Sequence, residues 1–177
     1  MRVVVLTGAS ASGKTTIAKA VGTICTGSVA VYHFDAVGVP SPDAMIAGWG
    51  SGEGWQRATT LAWLKRIASE RERWTRPALL EGQMRIAFIL EGLNAVGLTD
   101  ARVVLVDCDD ECRTHRLIQD RQQPALASSG MMSWAAYLRD EASAADVEVL
   151  DTARMPVAEC TRVVVDWLSD NDDGRAD

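Results

Sequence analysis

Residues Gly8-Ala9-Ser10-Ala11-Ser12-Gly13-Lys14-Thr15 constrain the chain more than any other stretch. A backbone that wraps an anion with its N–H groups must be free of side-chain obstruction, so glycine at both ends and small residues between them make a phosphate cradle. The run before it, Val3-Val4-Val5-Leu6, suits a strand buried on both faces. After it, Ile17, Ala18, Val21 and Ile24 or Cys25 recur at helical spacing. In that setting the helix directs its positive end at the same phosphates. Lys14 is expected to reach the β/γ-phosphates, Thr15 to ligate an accompanying Mg²⁺, and Thr16 to add a phosphate contact.

The rest of the chain alternates strand and helix signals. Val29 to Phe34 reads as a second strand ending in Asp35, and Ala78 to Gln83 as a third ending in Glu81-Gly82. Arg102 to Asp107 and Val147 to Leu150 read as the fourth and fifth. Such alternation, with a phosphate loop after the first strand, implies an α/β fold: a parallel sheet between helices on both faces. Ligands bind such sheets at the C-terminal ends of the strands, where Asp35 and Glu81 fall. Asp35 is a candidate acceptor-binding residue or, alternatively, a turn or cap residue. Glu81 is a candidate metal ligand through a water, or the partner of an arginine, and Asp107 a further candidate to assist the metal. Gly82 is expected to leave room for substrate, with Gln83 and Arg85 contacting it.

Between Ala36 and Gly54 seven glycines and prolines suggest a mobile flap interrupted by one short helix, which Ser41 caps and Pro42 starts. Trp49 and Trp55 bracket the flap's tip, and Trp55 is a candidate pocket wall. A long helix is expected from Trp55 to about Arg73, with Trp63 in its core stripe and Glu72 among the charges opposite. His33 reads as structural. Asp109-Asp110-Glu111 reads as helix-capping charge, and Arg113 as a solvated helix-face residue. Arg121 and Arg139 border an irregular stretch that suits a phosphate-clamping lid. The whole is expected to be one domain, 1–170, with a flap at about 36–75, a lid at about 121–139 and an acidic tail, 171–177.

Composition narrows the partners. A formal charge of −6 argues against non-specific binding to nucleic acid or anionic membranes. Cys25, Cys108, Cys112 and Cys160 form no C-x-x-C pair and have no histidine at metal spacing, so reduced core thiols are expected. The apolar run before Thr7 is too short for a signal peptide and none approaches bilayer length; a cytoplasmic protein is expected.

With these residues in view, the chain resembles the P-loop kinases of small molecules and nucleotides, the group containing shikimate kinase, gluconate kinase, adenylate kinase and chloramphenicol phosphotransferase. Leu79-Leu80-Glu81-Gly82-Gln83-Met84-Arg85 is similar to the adenylate-kinase pattern Leu-Leu-Asp-Gly-Phe-Pro-Arg, with glutamate in place of aspartate. Phe34-Asp35 resembles the strand-two acid of shikimate kinase and chloramphenicol phosphotransferase, and His115-Arg116-Leu117 with Asp120 to Leu126 resembles shikimate kinase's adenine-side and lid arginines. Leu150-Asp151-Thr152 is like the last-strand signature of the group.

The resemblance implies a five-stranded sheet of order 2-3-1-4-5. It implies ATP and Mg²⁺ as cofactors and transfer of the γ-phosphate to a hydroxyl of a small molecule. In that scheme Lys14 neutralises the phosphates, Asp35 receives the acceptor's proton, Arg121 and Arg139 close over the transferring group, and Arg116 stacks on adenine. A nucleoside or nucleotide kinase, or a regulatory ATPase without an acceptor, are the alternatives.

Overall fold

Alternation along β1 (Val3–Thr7) divides the interior in two, because successive side chains leave a strand on opposite faces. Val3 and Val5 join one buried cluster and Val4 and Leu6 another. The computed structural model describes residues 2–71, 73 and 75–169; Glu72 and the 171–177 tail, both placed by the sequence reading, lie outside these described residues.

β1 is the middle strand of a five-stranded parallel sheet. β2 (Ala30–His33), β3 (Ala78–Gly82), β4 (Arg102–Asp107) and β5 (Glu148–Asp151) complete it in the order β2-β3-β1-β4-β5. Pairing sets Leu6 opposite Glu81, Glu81 opposite His33, and Asp107 opposite Asp151. The C-terminal ends of the strands thereby carry His33, Glu81 and Asp107 along one rim.

One face is covered by α1 (Lys14–Ile24) and α7 (Val157–Ser169), which bury Ile17, Val21, Cys160 and Val164 against β1 and β4. The other face is covered by α3 (Gly52–Arg71) and α4 (Ile86–Ala95), through Trp63, Leu64, Ile67, Ile89 and Leu93. α6 (Ser129–Ala144) adds Leu138 and Ala142 beside Leu105 and Ile86.

The expected glycine-rich flap is largely helical. α2 (Pro42–Trp49) starts as anticipated, with Ser41 Oγ accepting from Ala44 N–H at 3.3 Å, and ends at Gly50, whose φ of 77° is left-handed. α3 then begins at Gly52, three residues before Trp55. Ser51 Oγ accepts from Gly54 N–H at 2.9 Å, and a Cβ on Gly54 would collide with the carbonyl oxygen of Trp49. The glycines make a tight corner between two helices, which residue counts alone read as loop.

Candidate active site

The phosphate loop uses backbone conformations that side chains resist. Ala11 has φ 62° and Gly13 φ 99°, and such changes of hand turn successive N–H groups toward one concave side. In α1 the Ile17 N–H donates to Gly13 O at 3.0 Å, so the first-turn N–H groups of Lys14, Thr15 and Thr16 have no acceptor within the helix. Ser12 Oγ is buried without a hydrogen-bond partner. Lys14 is 7% exposed, with Nζ 3.4 Å from Ala9 O. Burial lowers its ammonium from 10.5 to about 8; the Glu81 carboxylate opposes the fall, Arg121 adds to it, Asp35 opposes it and Arg113 adds to it.

Thr15 Oγ1 donates to Glu81 Oε2 at 3.0 Å, while Glu81 Oε1 lies 2.7 Å from His33 Nδ1. The histidine set aside as structural thus fixes the orientation of a buried carboxylate, an effect of cross-strand register that linear sequence does not display. Among the described residues no group of three or more His, Cys, Asp or Glu side chains converges as a metal site. A hydroxyl and one carboxylate still suit Mg²⁺, which keeps several waters and takes few protein oxygens. Unsatisfied first-turn amides, a buried ammonium and these hard oxygens fit a magnesium-bound polyphosphate.

Asp35 lies in a single turn of 3₁₀ helix, Phe34–Val37, directly after β2, and is exposed. Its neighbour Phe34 anchors that turn: the ring is fully buried, edge-on to Trp55 at 5.6 Å, and its carbonyl accepts from Trp63 Nε1 at 3.1 Å. Two expectations change here. Trp55 is 8% exposed and packs in the core under Phe34 instead of walling an open pocket, because α3 starts early enough to turn its ring inward. The space above Gly82 is filled by Phe34, into whose Cβ a side chain at 82 would run, and not left for substrate.

Two cavities flank the loop. One, of about 270 Å³, is lined by Ala11, Gly13, Thr16, Arg116, Arg121 and Thr152. Arg116 donates to Ala11 O at 3.2 Å, to Thr152 Oγ1 at 2.8 Å and to Thr152 O at 2.8 Å, tying the loop to the end of β5. The other, of about 380 Å³, is lined by Glu53, Gln56, Gln83, Arg85, Met131 and Trp134. Gln83 Nε2 donates to Ser10 Oγ at 3.1 Å, which joins this cavity to the phosphate loop. Gln56, not singled out from sequence, donates to Gln83 O at 3.0 Å and accepts from Arg85 N–H at 3.2 Å.

The arginines are distributed differently from expectation. Arg113, expected in solvent, is fully buried on α5 (Asp110–His115). It donates to Ser10 O at 2.7 Å and Cys108 O at 3.1 Å and pairs with Asp107. A guanidinium is tolerated there because a carboxylate and two carbonyls receive its Nη protons, although Nε is buried without a hydrogen-bond partner among the described residues. Asp107 is thereby engaged by arginines, since Oδ2 also accepts from Arg139 at 3.1 Å. Arg139, expected over the transferring group, is held by Asp107 and by Asp110 at 3.3 Å. Arg121 remains at the loop cavity. Asp109 caps α5, accepting from Cys112 N–H at 2.7 Å, as the acidic run suggested.

Sheet order, parallel pairing and a phosphate loop between β1 and α1 define the P-loop kinase fold. Among solved structures with it, shikimate kinase from Acinetobacter baumannii in complex with shikimate superposes with a TM-score of 0.61 at 17% identity, over 93% of this chain and 90% of that one. The Deinococcus radiodurans tunicamycin resistance protein gives 0.66 at 14% identity, over 96% of each chain. A sugar kinase from a Janibacter species gives 0.58 at 20% identity, over 95% of this chain and 94% of that one. No family model matches the chain, and no curated protein matches it by sequence. Among the described residues no helix is long and apolar enough to cross a membrane.

Proposed function

We propose that the chain is an ATP-dependent phosphotransferase that moves the γ-phosphoryl group to a hydroxyl of a small molecule. The observation that carries this reading is the buried Lys14 set between the free amides of the α1 first turn and the Thr15–Glu81 pair, with the Asp35 charge acting on the same ammonium. Phosphoryl transfer asks a protein mainly for positioning and neutralisation of charge, which these groups supply. The kinase fold of the solved structures above supports the same class.

The amides of residues 13–16 and Lys14 would bind the β- and γ-phosphates, and Arg121 would close over them. Thr15 and, through a water, Glu81 would hold Mg²⁺, which neutralises charge on the phosphate oxygens when bound. Asp35 orients the acceptor hydroxyl, whose oxygen forms the new bond to phosphorus as the β,γ-bridging bond breaks. The hydroxyl proton passes to Asp35, and ADP leaves. Of the expected flap at about 36–75, the stretch ahead of α3 that holds α2 would serve the acceptor. Of the expected lid at about 121–139, the stretch ahead of α6 would close over the nucleotide, all within a single domain. Helix α3 and Arg139 belong to the packed body. The four unpaired cysteines accord with a cytoplasmic setting.

Incubation of the protein with magnesium, γ-labelled ATP and pooled hydroxyl metabolites tests the proposal. A labelled product formed in stoichiometry with ADP is the expected result. Slow hydrolysis indifferent to every pool would leave a regulatory ATPase instead, and absence of nucleotide binding would remove both.

A further inference from the structure

Among the described residues the 380 Å³ cavity beside Ser10 is lined by one cation, and that cation already has a partner. Arg85 Nη2 lies 3.1 Å from Glu53 Oε2. Its guanidinium also lies over the rings of Tyr137, Trp134 and Phe88, at 4.8, 5.5 and 5.7 Å from their centroids. Glu53 sits in the first turn of α3, where the helix dipole favours a carboxylate. Aromatic faces and a helix start therefore hold the two charges from opposite sides, and the lining is electrically neutral. An incoming carboxylate or phosphate would compete with Glu53 for the guanidinium and meet its negative charge, with Asp35 adding a second negative charge near the loop.

What the cavity leaves open suits hydroxyls. Gln56 is committed at both ends, to Gln83 O and Arg85 N–H. Gln83 gives its amide hydrogens toward Ser10 Oγ and keeps its oxygen as an acceptor, and Glu53 keeps a second oxygen and is 58% exposed. These oxygens accept from O–H donors. Trp134, stacked on Tyr137 at 5.4 Å and 13° and covered by the Arg85 guanidinium, lines the cavity with Met131 but offers no free ring face.

We infer that the acceptor is an uncharged compound bearing several hydroxyls, and that Glu53, by pairing with Arg85, is the residue that turns carboxylate and phosphate-bearing analogues away. This deepens the phosphotransferase reading and rests on it.

Matched pairs of an anion and a close neutral counterpart test the inference: shikimate against its methyl ester, gluconate against glucitol, and a nucleoside against its 5′-monophosphate. Phosphorylated product is followed with magnesium ATP in the wild type and in Glu53→Gln, whose exposed position leaves folding intact. The expected result is at least one pair in which the wild type phosphorylates the neutral member tenfold or more faster at low concentration. Glu53→Gln should narrow that ratio at least tenfold by raising turnover of the anion. Arg85→Gln, checked by circular dichroism, should leave the anions excluded. Preference for the anionic member of the pairs, an unchanged ratio in Glu53→Gln, or no product from any neutral member each overturns the inference. Calorimetry with magnesium and a non-hydrolysable triphosphate, run on the same samples, keeps the two readings apart. Lost heat there removes the phosphotransferase, whereas retained heat with anion preference removes only the selectivity claim.

Discussion

The Arg113 guanidinium, without solvent exposure, donates to the backbone oxygen of Ser10 at 2.7 Å. A buried cation in α5 thus holds the carbonyl of a loop residue, and Asp107 balances the charge. Removing one member of such a pair leaves the other buried and costs about 3–5 kcal/mol. Arg113→Met should lower the urea midpoint accordingly and weaken triphosphate binding. Arg113→Lys should fail to restore either, since a point charge cannot span Ser10 O, Cys108 O and Asp107 together. A methionine variant with the parental midpoint would sink this account.

Lys14 carries the opposite kind of cost. Its ammonium loses its proton near 8 when folded and near 10.5 when unfolded, so between those values the unfolded chain binds more protons and stability rises with pH. Below pH 8 the burial penalty is present in full, about 3 kcal/mol as an upper figure. Lys14→Met is expected to be more stable than the parent at pH 7 without ligand, with the advantage shrinking toward pH 10, and to bind no triphosphate. Thermal midpoints at pH 7 and 9.5, with calorimetry, check the sign.

Asp35 stands outside the loop and acts on it only through charge. Asp35→Asn should therefore reduce turnover by about 10²–10⁴, the usual worth of a positioned base, while triphosphate affinity stays within about threefold. Parallel loss of both would place Asp35 in nucleotide binding.

The contact between Gly82 and Phe34 links the end of β3 to the turn bearing Asp35. Gly82→Ala should cost about 1–3 kcal/mol of stability through overpacking and depress turnover more than triphosphate binding. An alanine variant of parental melting temperature would show that Phe34 yields freely.

Elements built from local signals were legible in the sequence: the strand, loop and helix around Gly8 to Thr15, the Ser41 and Asp109 caps, and the five strands within a residue or two. What local signals could not convey were partnerships across the sheet. Arg113 read as a solvated charge because nothing near it in the chain announces that Ser10, 103 residues earlier, supplies its acceptor. His33 gained its role from lying opposite Glu81 in the register, and Gln56 from α3 passing over residues 83 to 85. The flap misread as loop shows a different failure, since Gly50 and Gly54 terminate and seat helices as readily as they loosen a chain.

Among the described residues the two buried clusters on either side of the sheet share no side chain. Trp55, Trp63 and Phe34 shape the layer under the Asp35 turn, while Ile17, Val21 and Cys160 back the helix that starts at Lys14. Repacking one layer need not disturb the other, so, on the proposed reading, a descendant of this chain could acquire a new phosphoryl recipient while its hold on the donor stayed as it was.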